Sequence, residues 1–255
     1  MFNAARRSAV ADATIQQALQ NPAFESCDSI AVDNEKYSST EISQSIIDNC
    51  KSGDKVLSAG TTLYQEGEVC TKLYILLDGW VAACRNLKDG RQLILNFMLP
   101  GAFLGFQANL AAPMSNTVKC VTDVVVCVLP RTTFSSMLDD SPALAQSLNQ
   151  SHANDEQTIM DNLINIATRP ARARVANFLL DLHARVVDVY PRQSLANSYL
   201  PLTRQDIADT FGLTNVHVSR AICALQRENI LSLKKKRLQI HDMEKLVDIA
   251  SSSNR

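Results

Sequence analysis

A chain of 255 residues, 46% of them hydrophobic, is long enough for two modest domains but short for a large multi-lobed enzyme. The net charge of −1 hides a division, because residues 1–168 carry 11 Lys and Arg against 18 Asp and Glu, whereas residues 169–237 carry 12 against 5. These balances of −7 and +7 favour one domain that meets phosphate and one that does not. The alternative is a basic surface without a partner.

The chain shows neither a secretory signal nor a membrane helix. Its first residues, MFNAARRSAVADATIQQAL, contain no apolar core of signal-peptide length. The longest apolar run, Leu93 to Phe106, is interrupted by Asn96 and by Pro100 with Gly101. We therefore expect a cytoplasmic protein.

The cysteines predict neither a disulfide framework nor a zinc module. Seven is an odd number, and no two of them form a C-x-x-C pair. We expect reduced and mostly buried thiols at Cys27, Cys50, Cys70, Cys84, Cys120, Cys127 and Cys223.

Residues 1–52 are polar and weakly periodic, and we treat them as an N-terminal extension. Residues 53–140 have a different sequence pattern, with short apolar runs such as LYILL and VVVCVL between regularly spaced glycines. This pattern is typical of many short strands, and it predicts an antiparallel barrel or sandwich.

Residues 141–169 predict one long helix that begins at Ser141-Pro142 and ends or kinks at Pro170. Its apolar stripe is polar in the middle, where Ser151, His152 and Asp155 lie, which is typical of a seam and not of a buried core helix. Pairing of two such helices across a two-fold axis would bury Leu144, Leu148, Ile159, Leu163 and Ile166. A second helix, ARARVANFLLDLHARVV, should follow.

The stretch LTRQDIADTFGLTNVHVSRAI predicts a helix-turn-helix within residues 170–255. Thr203 with Asp206 fits an N-cap for a helix over residues 204–210, Gly212 supplies a left-handed turn, and Thr214 caps the next helix. Ala208 is small because the two helices should cross there. The outer face of the second helix should carry Asn215, Val216, Ser219, Arg220 and Cys223.

The segment LSLKKKRLQI predicts a strand, a basic turn and a second strand. A winged helix with Lys234, Lys235 and Lys236 at the tip of its wing is suited to gripping a phosphate backbone. The alternative is a solvated hairpin with a charged turn.

From about residue 55 to residue 245, the chain resembles the CRP/FNR superfamily of bacterial transcription regulators. The matching segments are YILLDGWV, LPGAFLGF, the long helix from residue 142 and the helix-turn-helix with its wing. The resemblance implies an α+β protein with an N-terminal β-roll sensor of cyclic-nucleotide-binding type, a long dimerisation helix and a C-terminal winged helix-turn-helix. It also implies a homodimer on a palindromic operator, with RNA polymerase as a further partner. The implied DNA-binding residues are Thr203, Thr214, Asn215, Val216, His217, Ser219, Arg220, Lys234, Lys235 and Lys236.

The sequence departs from the family where known effectors bind. The glutamate and the Arg-Ser pair of cyclic-AMP-binding members are replaced by Phe106, Asn116 and Thr117, so we expect no response to cyclic AMP. Cys127 stands at the barrel cysteine of iron–sulfur members, but the N-terminal cluster is missing, and Cys127 is better explained as a buried strand residue. Because the predicted barrel has no histidine, nothing favours haem, and the signal and any cofactor stay unidentified.

Two other functions compete with a DNA-binding regulator. One is a small-molecule sensor whose winged helix contacts protein instead of DNA, against which Arg220 and the three wing lysines count. The other is an enzyme on a β-roll scaffold. It is disfavoured because no carboxylate pairing and no phosphate-binding glycine loop is recognisable.

Overall fold

The structure, a computed structural model, describes residues 54–107, 112–190 and 198–252. These fall into two compact units, residues 54–82 with 98–153 and residues 83–97 with 154–252. The predicted N-terminal extension, residues 1–52 with Cys27 and Cys50, lies outside the described residues.

Eight strands and a helix follow one another from residue 54, which confirms the predicted β-rich N-terminal half. The strands are β1 Asp54–Leu57, β2 Thr62–Tyr64, β3 Lys72–Asp78, β4 Val81–Asn86, β5 Gln92–Met98, β6 Phe103–Leu104, β7 Thr117–Cys120 and β8 Val124–Pro130. They form two four-stranded sheets, in the orders β1-β8-β3-β6 and β2-β7-β4-β5. Helix α1, Arg131–Asp140, follows β8 directly.

The turn between β3 and β4 depends on Gly79. Its φ of 87° is left-handed, and a Cβ at this position would lie 2.3 Å from the carbonyl oxygen of Asp123. No other residue fits there without a backbone shift. The close approach brings the Trp80 N–H to the hydroxyl of Thr122, at 2.9 Å, and joins two loops of the roll.

Helix α2, Pro142–Thr168, is the predicted long helix, and α3, Ala171–Val189, is the predicted second one. In the first part of α2, two residues predicted for the dimer seam lie elsewhere. Leu144 and Leu148 are only 1% and 3% exposed, because they pack against β3, β8 and Phe134 in the core of the first unit. Their side chains are therefore not available to a second copy of the chain.

Buried Asn96 of β5 joins the 83–97 segment to the helices of the second unit. Its amide nitrogen donates to Asp155 of α2 at 2.8 Å, and its amide oxygen accepts from Arg185 of α3 at 3.3 Å. The guanidinium of Arg185 also donates to the carbonyl of Phe97. The amide nitrogen and the amide oxygen of Asn96 thus each have a hydrogen-bond partner, as expected for a buried polar group.

The remainder of the second unit is a small helical domain with a three-stranded sheet. Its elements are β9 Ser198–Tyr199, α4 Arg204–Phe211, α5 Asn215–Arg227, β10 Leu231–Lys234, β11 Arg237–Ile240 and α6 Met243–Ser251. The sheet order is β10-β11-β9. An edge-to-face contact between Phe178 of α3 and Phe211 of α4, with ring centroids 5.2 Å apart, lies in its core.

Candidate DNA-binding surface

Helix α4 begins at a capping box, as the sequence predicts. The Asp206 N–H donates to the Thr203 hydroxyl at 3.1 Å, and the Thr203 N–H donates back to the Asp206 carboxylate at 2.6 Å. Two amide donors that a helix start leaves open are thereby satisfied. The hydroxyl of Thr203, which the sequence suggests for DNA contact, is occupied in this cap.

The turn between α4 and α5 has the predicted geometry. Gly212 takes a left-handed φ of 61°, and its N–H and that of Leu213 both donate to the carbonyl of Ala208. Ala208 is fully buried, so a larger side chain would push the two helices apart. The Thr214 hydroxyl then accepts the His217 N–H and caps α5.

Helix α5 divides into a buried face and an exposed face. Val218, Ala221, Ile222 and Leu225 are buried in the domain core. The opposite face lines a shallow groove and consists of Asn215, Val216, Ser219, Arg220, Cys223 and Arg227. Four of the predicted DNA-binding residues therefore share one surface, and Val216 is 56% exposed at its centre.

A residue that the sequence analysis missed, Arg204, extends this surface. Its guanidinium donates to the hydroxyl of Ser219 at 3.3 Å, and Ser219 in turn donates to the amide oxygen of Asn215 at 3.4 Å. The first helix thus contributes a positive charge beside the polar residues of α5. A basic residue directly after the N-cap of α4 is the signal in the sequence that could have identified it.

The wing is a two-residue hairpin, one residue shorter at its turn than predicted. Lys234 ends β10, and only Lys235 and Lys236 form the turn. Both have left-handed backbone angles, with φ of 49° and 62°. A turn of this kind prefers Asn-Gly, because most other residues are strained at positive φ. The structure therefore presents two lysines at positions that their backbone conformation disfavours.

A buried hydrogen bond joins β9, the third strand of the wing sheet, to helix α3. His183 of α3 and Ser198 of β9 are both buried, and the Nδ1 of His183 is hydrogen-bonded to the Ser198 hydroxyl. Ser198 pairs with Leu238 of β11, and the Leu200 N–H donates to the carbonyl of Lys236 at 2.8 Å. The wing turn is thereby connected to the core of the domain.

The cysteines of the roll have the environment of structural thiols. Cys127 is fully buried in β8, opposite Asp54 and Ile75, which confirms its interpretation as a strand residue. Burial, with a smaller effect of Asp123, raises the pKa of the Cys120 thiol to about 11. Among the described residues no cluster of His, Cys, Asp and Glu could hold a metal ion.

The residues that replace the cyclic-AMP contacts belong to the packing of the roll. The ring of Phe106 lies 6.1 Å from that of Phe134 and 5.2 Å from the imidazole of His152, measured between centroids. Thr117 is buried, and its hydroxyl accepts the Glu66 N–H at 3.0 Å. An apolar ring and a neutral hydroxyl offer no charge to a cyclic phosphate.

Comparison with known proteins agrees with this geometry. Residues 54–141 match the cyclic nucleotide-binding domain, and residues 173–249 match the Crp-like helix-turn-helix domain. The nitrogen fixation regulation protein FixK of Bradyrhizobium diazoefficiens is 31% identical over 69% of this chain and 73% of its own length. The chain belongs to the CRP/FNR family. It is a DNA-binding transcription regulator of that type, with the predicted α+β architecture.

Other members of the CRP/FNR family are similarly related. The transcriptional activatory protein AadR of Rhodopseudomonas palustris is 30% identical over 74% of this chain and 78% of its own length. The structure of FixK2 from Bradyrhizobium japonicum superposes with a TM-score of 0.71 at 24% identity, covering 79% of this chain and 98% of that one. No helix in the described ranges is long and apolar enough to cross a membrane.

Proposed function

We propose that the chain binds a palindromic operator as a homodimer, with helix α5 of each copy in the major groove of one half-site. The observation that carries the proposal is the exposed face of α5, where an arginine, an asparagine and a serine surround Val216 above a buried apolar face. A capped helix with such a face is the element that reads base edges in helix-turn-helix proteins. We place the protein in the cytoplasm, where the operator lies.

Arg220 is the proposed reader of a guanine in each half-site. It is exposed, and guanidinium nitrogens can donate to guanine O6 and N7 together, which discriminates against another base by about 1–3 kcal/mol. The wing lysines and Arg204 are assigned to phosphates, where they add affinity without sequence information. The DNA-bound dimer is proposed to contact RNA polymerase, the enzyme whose activity such a regulator changes.

The dimer is proposed to form through the second half of α2. Ile159, Met160, Leu163 and Ile164 are exposed in two neighbouring i, i+4 pairs, and Leu163 is 65% exposed. Ile166 is half-buried beside them. An exposed apolar stripe on one long helix is typical of a surface covered by a partner, and a second copy related by a two-fold axis presents the same stripe.

Val216 should set an unusual half-site preference. FNR-type members resembling this chain have a glutamate at this position, whose carboxylate accepts a hydrogen bond from a cytosine amino group. Valine has no polar atom, so the position should be relaxed or should favour the methyl group of thymine. Val216→Glu is expected to sharpen selection toward the FNR-like base, and unchanged site preferences would contradict the placement of Val216 against a base.

The test of the proposed function is Arg220→Ala in a mobility-shift assay with genomic fragments. Specific complexes should disappear while size-exclusion chromatography still shows the dimer. Arg91→Ala, which removes an exposed arginine from the turn between β4 and β5, should bind as the wild type does. If Arg220→Ala still selects the same fragments, α5 is not the reading helix. If the wild type shifts no fragment, the winged helix serves protein contact instead.

A further inference from the structure

Two successive residues of strand β5 are hydrogen-bonded to the helices of the second unit. The side chain of Asn96 donates to Asp155 of α2 at 2.8 Å and accepts from Arg185 of α3 at 3.3 Å. The carbonyl of Phe97 accepts a second hydrogen bond from Arg185. We call these three contacts the β5 clasp, because they hold the strand to both helices.

The β5 clasp is complete in only one position of α3 against β5. Asn96 is only 3% exposed, and its neighbours Ile94 and Phe97 in the strand are buried and apolar. Hydrogen bonds depend on distance and angle, so a shift of α3 along β5 would leave the buried amide of Asn96 without this partner. The polar contacts therefore specify the position of α3 more narrowly than apolar packing alone would.

Arg185 can serve both acceptors of β5 because its guanidinium group is a planar fork. One terminal nitrogen donates to the amide oxygen of Asn96, and the other donates to the carbonyl of Phe97. The carboxylate of Asp181, one turn earlier on α3, lies 3.7 Å from the guanidinium. A lysine at this position would keep the charge but would not reproduce the fork.

Helix α3 connects β5 to the helix-turn-helix. The ring centroid of Phe178 in α3 lies 6.0 Å from that of Phe97 in β5 and 5.2 Å from that of Phe211 in α4. One side chain of α3 thus packs on the strand and on the first helix of the helix-turn-helix. A change in the position of α4 relative to β5 would require this side chain to repack.

We propose that the β5 clasp sets the DNA affinity of the protein by holding α3, and with it α4 and α5, in the orientation that binds the operator. This inference rests on the proposed function. A dimer has to present its two reading helices to half-sites at a fixed spacing. Helices released from the clasp sample other orientations, and the apparent affinity falls in proportion to the fraction of molecules in the binding orientation.

The coupling between the β5 clasp and DNA has to act in both directions. If the clasped protein binds DNA more tightly than the released protein by some factor, bound DNA favours the clasp by the same factor. We expect a factor on the order of tenfold, which is within the usual range for coupled sites. Operator DNA should therefore slow hydrogen exchange of β5 amides by about this factor, although β5 is not part of the proposed DNA-binding surface.

The test compares wild type with Asn96→Leu, with Arg185→Lys and with the double variant. Leucine has the branched shape of asparagine without its polar atoms. The matched control is Arg172→Lys, which changes another arginine of α3, one that pairs with Glu228 at 2.7 Å. Fluorescence anisotropy measures the Kd for a genomic fragment that the wild type shifts, and thermal unfolding with size-exclusion chromatography monitors the fold and the dimer. Mass spectrometry measures hydrogen exchange of β5 with and without the fragment.

Each single variant should remain a folded dimer and bind DNA about tenfold more weakly than the wild type. The double variant should bind no more weakly than the single variants, because both substitutions break the same clasp. Arg172→Lys should bind as the wild type does. Protection of β5 by DNA should be present in the wild type and in Arg172→Lys, and it should be lost in Asn96→Leu and Arg185→Lys.

Folded variants that bind DNA as tightly as the wild type, or more tightly, would overturn the inference. Wild-type β5 amides whose exchange is the same with and without DNA would also overturn it, and this measurement decides alone if a variant does not fold. A wild type that binds no fragment would instead refute the proposed function, and the inference with it, so the two failures are distinguishable.

Discussion

The two lysines of the wing turn should lower the stability of the protein while they raise its affinity for DNA. The double substitution Lys235→Asn with Lys236→Gly separates the effect on the free energy of unfolding from the effect on DNA affinity. Both lysines have positive φ, at 49° and 62°. Asn-Gly is the preferred pair for such a two-residue turn, since both residues tolerate the left-handed region. The substitution therefore relieves the backbone while removing two cations.

The two effects have opposite signs. A left-handed conformation costs a residue with a side chain about 1–2 kcal/mol. Replacing lysine by glycine removes this cost, but the stabilisation is smaller by about 0.5–1 kcal/mol because glycine has more conformational freedom to lose on folding. The net gain in the free energy of unfolding should be about 1–2 kcal/mol for the pair. Two lost phosphate contacts should flatten the log–log dependence of DNA affinity on salt by roughly 2 units per half-site, or about 4 units for a dimer bound to both half-sites. Each lysine replaced alone should flatten it by about 1 unit per half-site.

Thermal unfolding and salt-dependent anisotropy measure the two effects on the same samples. The matched control is Lys55→Asn with Lys88→Asn, which removes two exposed lysines from the roll and its β4–β5 turn. The wing variant should melt at a higher temperature and bind DNA more weakly with a smaller salt slope, whereas the control should leave the salt slope unchanged. A wing variant that is stabilised but keeps the full slope would show that the wing points away from DNA. A variant that melts earlier would refute the argument from backbone strain.

Three further outcomes are expected. Added cyclic AMP should change neither the melting temperature nor DNA affinity, because Phe106 and Thr117 are used in packing. A ligand that did bind, at 100 times its Kd, would add about 2.7 kcal/mol to the free energy of unfolding. A rise in the melting temperature or in DNA affinity would therefore contradict this expectation. Leu163→Asp should give a folded monomer in sedimentation experiments, and a persistent dimer would exclude α2 as the seam. Thr203→Ala should reduce the free energy of unfolding by about 1 kcal/mol through loss of the α4 cap, and equal denaturation midpoints would argue against that cap.

The helix-turn-helix could be predicted from the sequence because its signals are local. The capping residues Thr203 and Thr214 act within three residues of their partners, and Gly212 determines its turn alone. The outward orientation of Val216 follows from helical periodicity, once the inward stripe of Val218 and Ile222 is recognised. None of these inferences needs a contact between distant parts of the chain.

The features that the sequence analysis missed depend on distant contacts. Periodicity groups Leu144 and Leu148 with Leu163 on one stripe, but only the tertiary structure shows that the stripe changes its environment along α2. The hydrogen bonds of Asn96 join residues 59 and 89 positions apart in the chain. The positive φ angles of the wing lysines are a local feature, but a lysine pair is not a sequence signal for a turn of this kind.

Selection of binding sites from a random DNA library tests the central claim most directly. The wild-type chain should enrich an inverted repeat whose half-sites are centred about one helical turn apart, with a guanine in each half-site that Arg220→Ala no longer selects. Enrichment of no sequence, or of an inverted repeat that Arg220→Ala selects equally well, would contradict the account of α5 as the reading helix of a dimeric regulator.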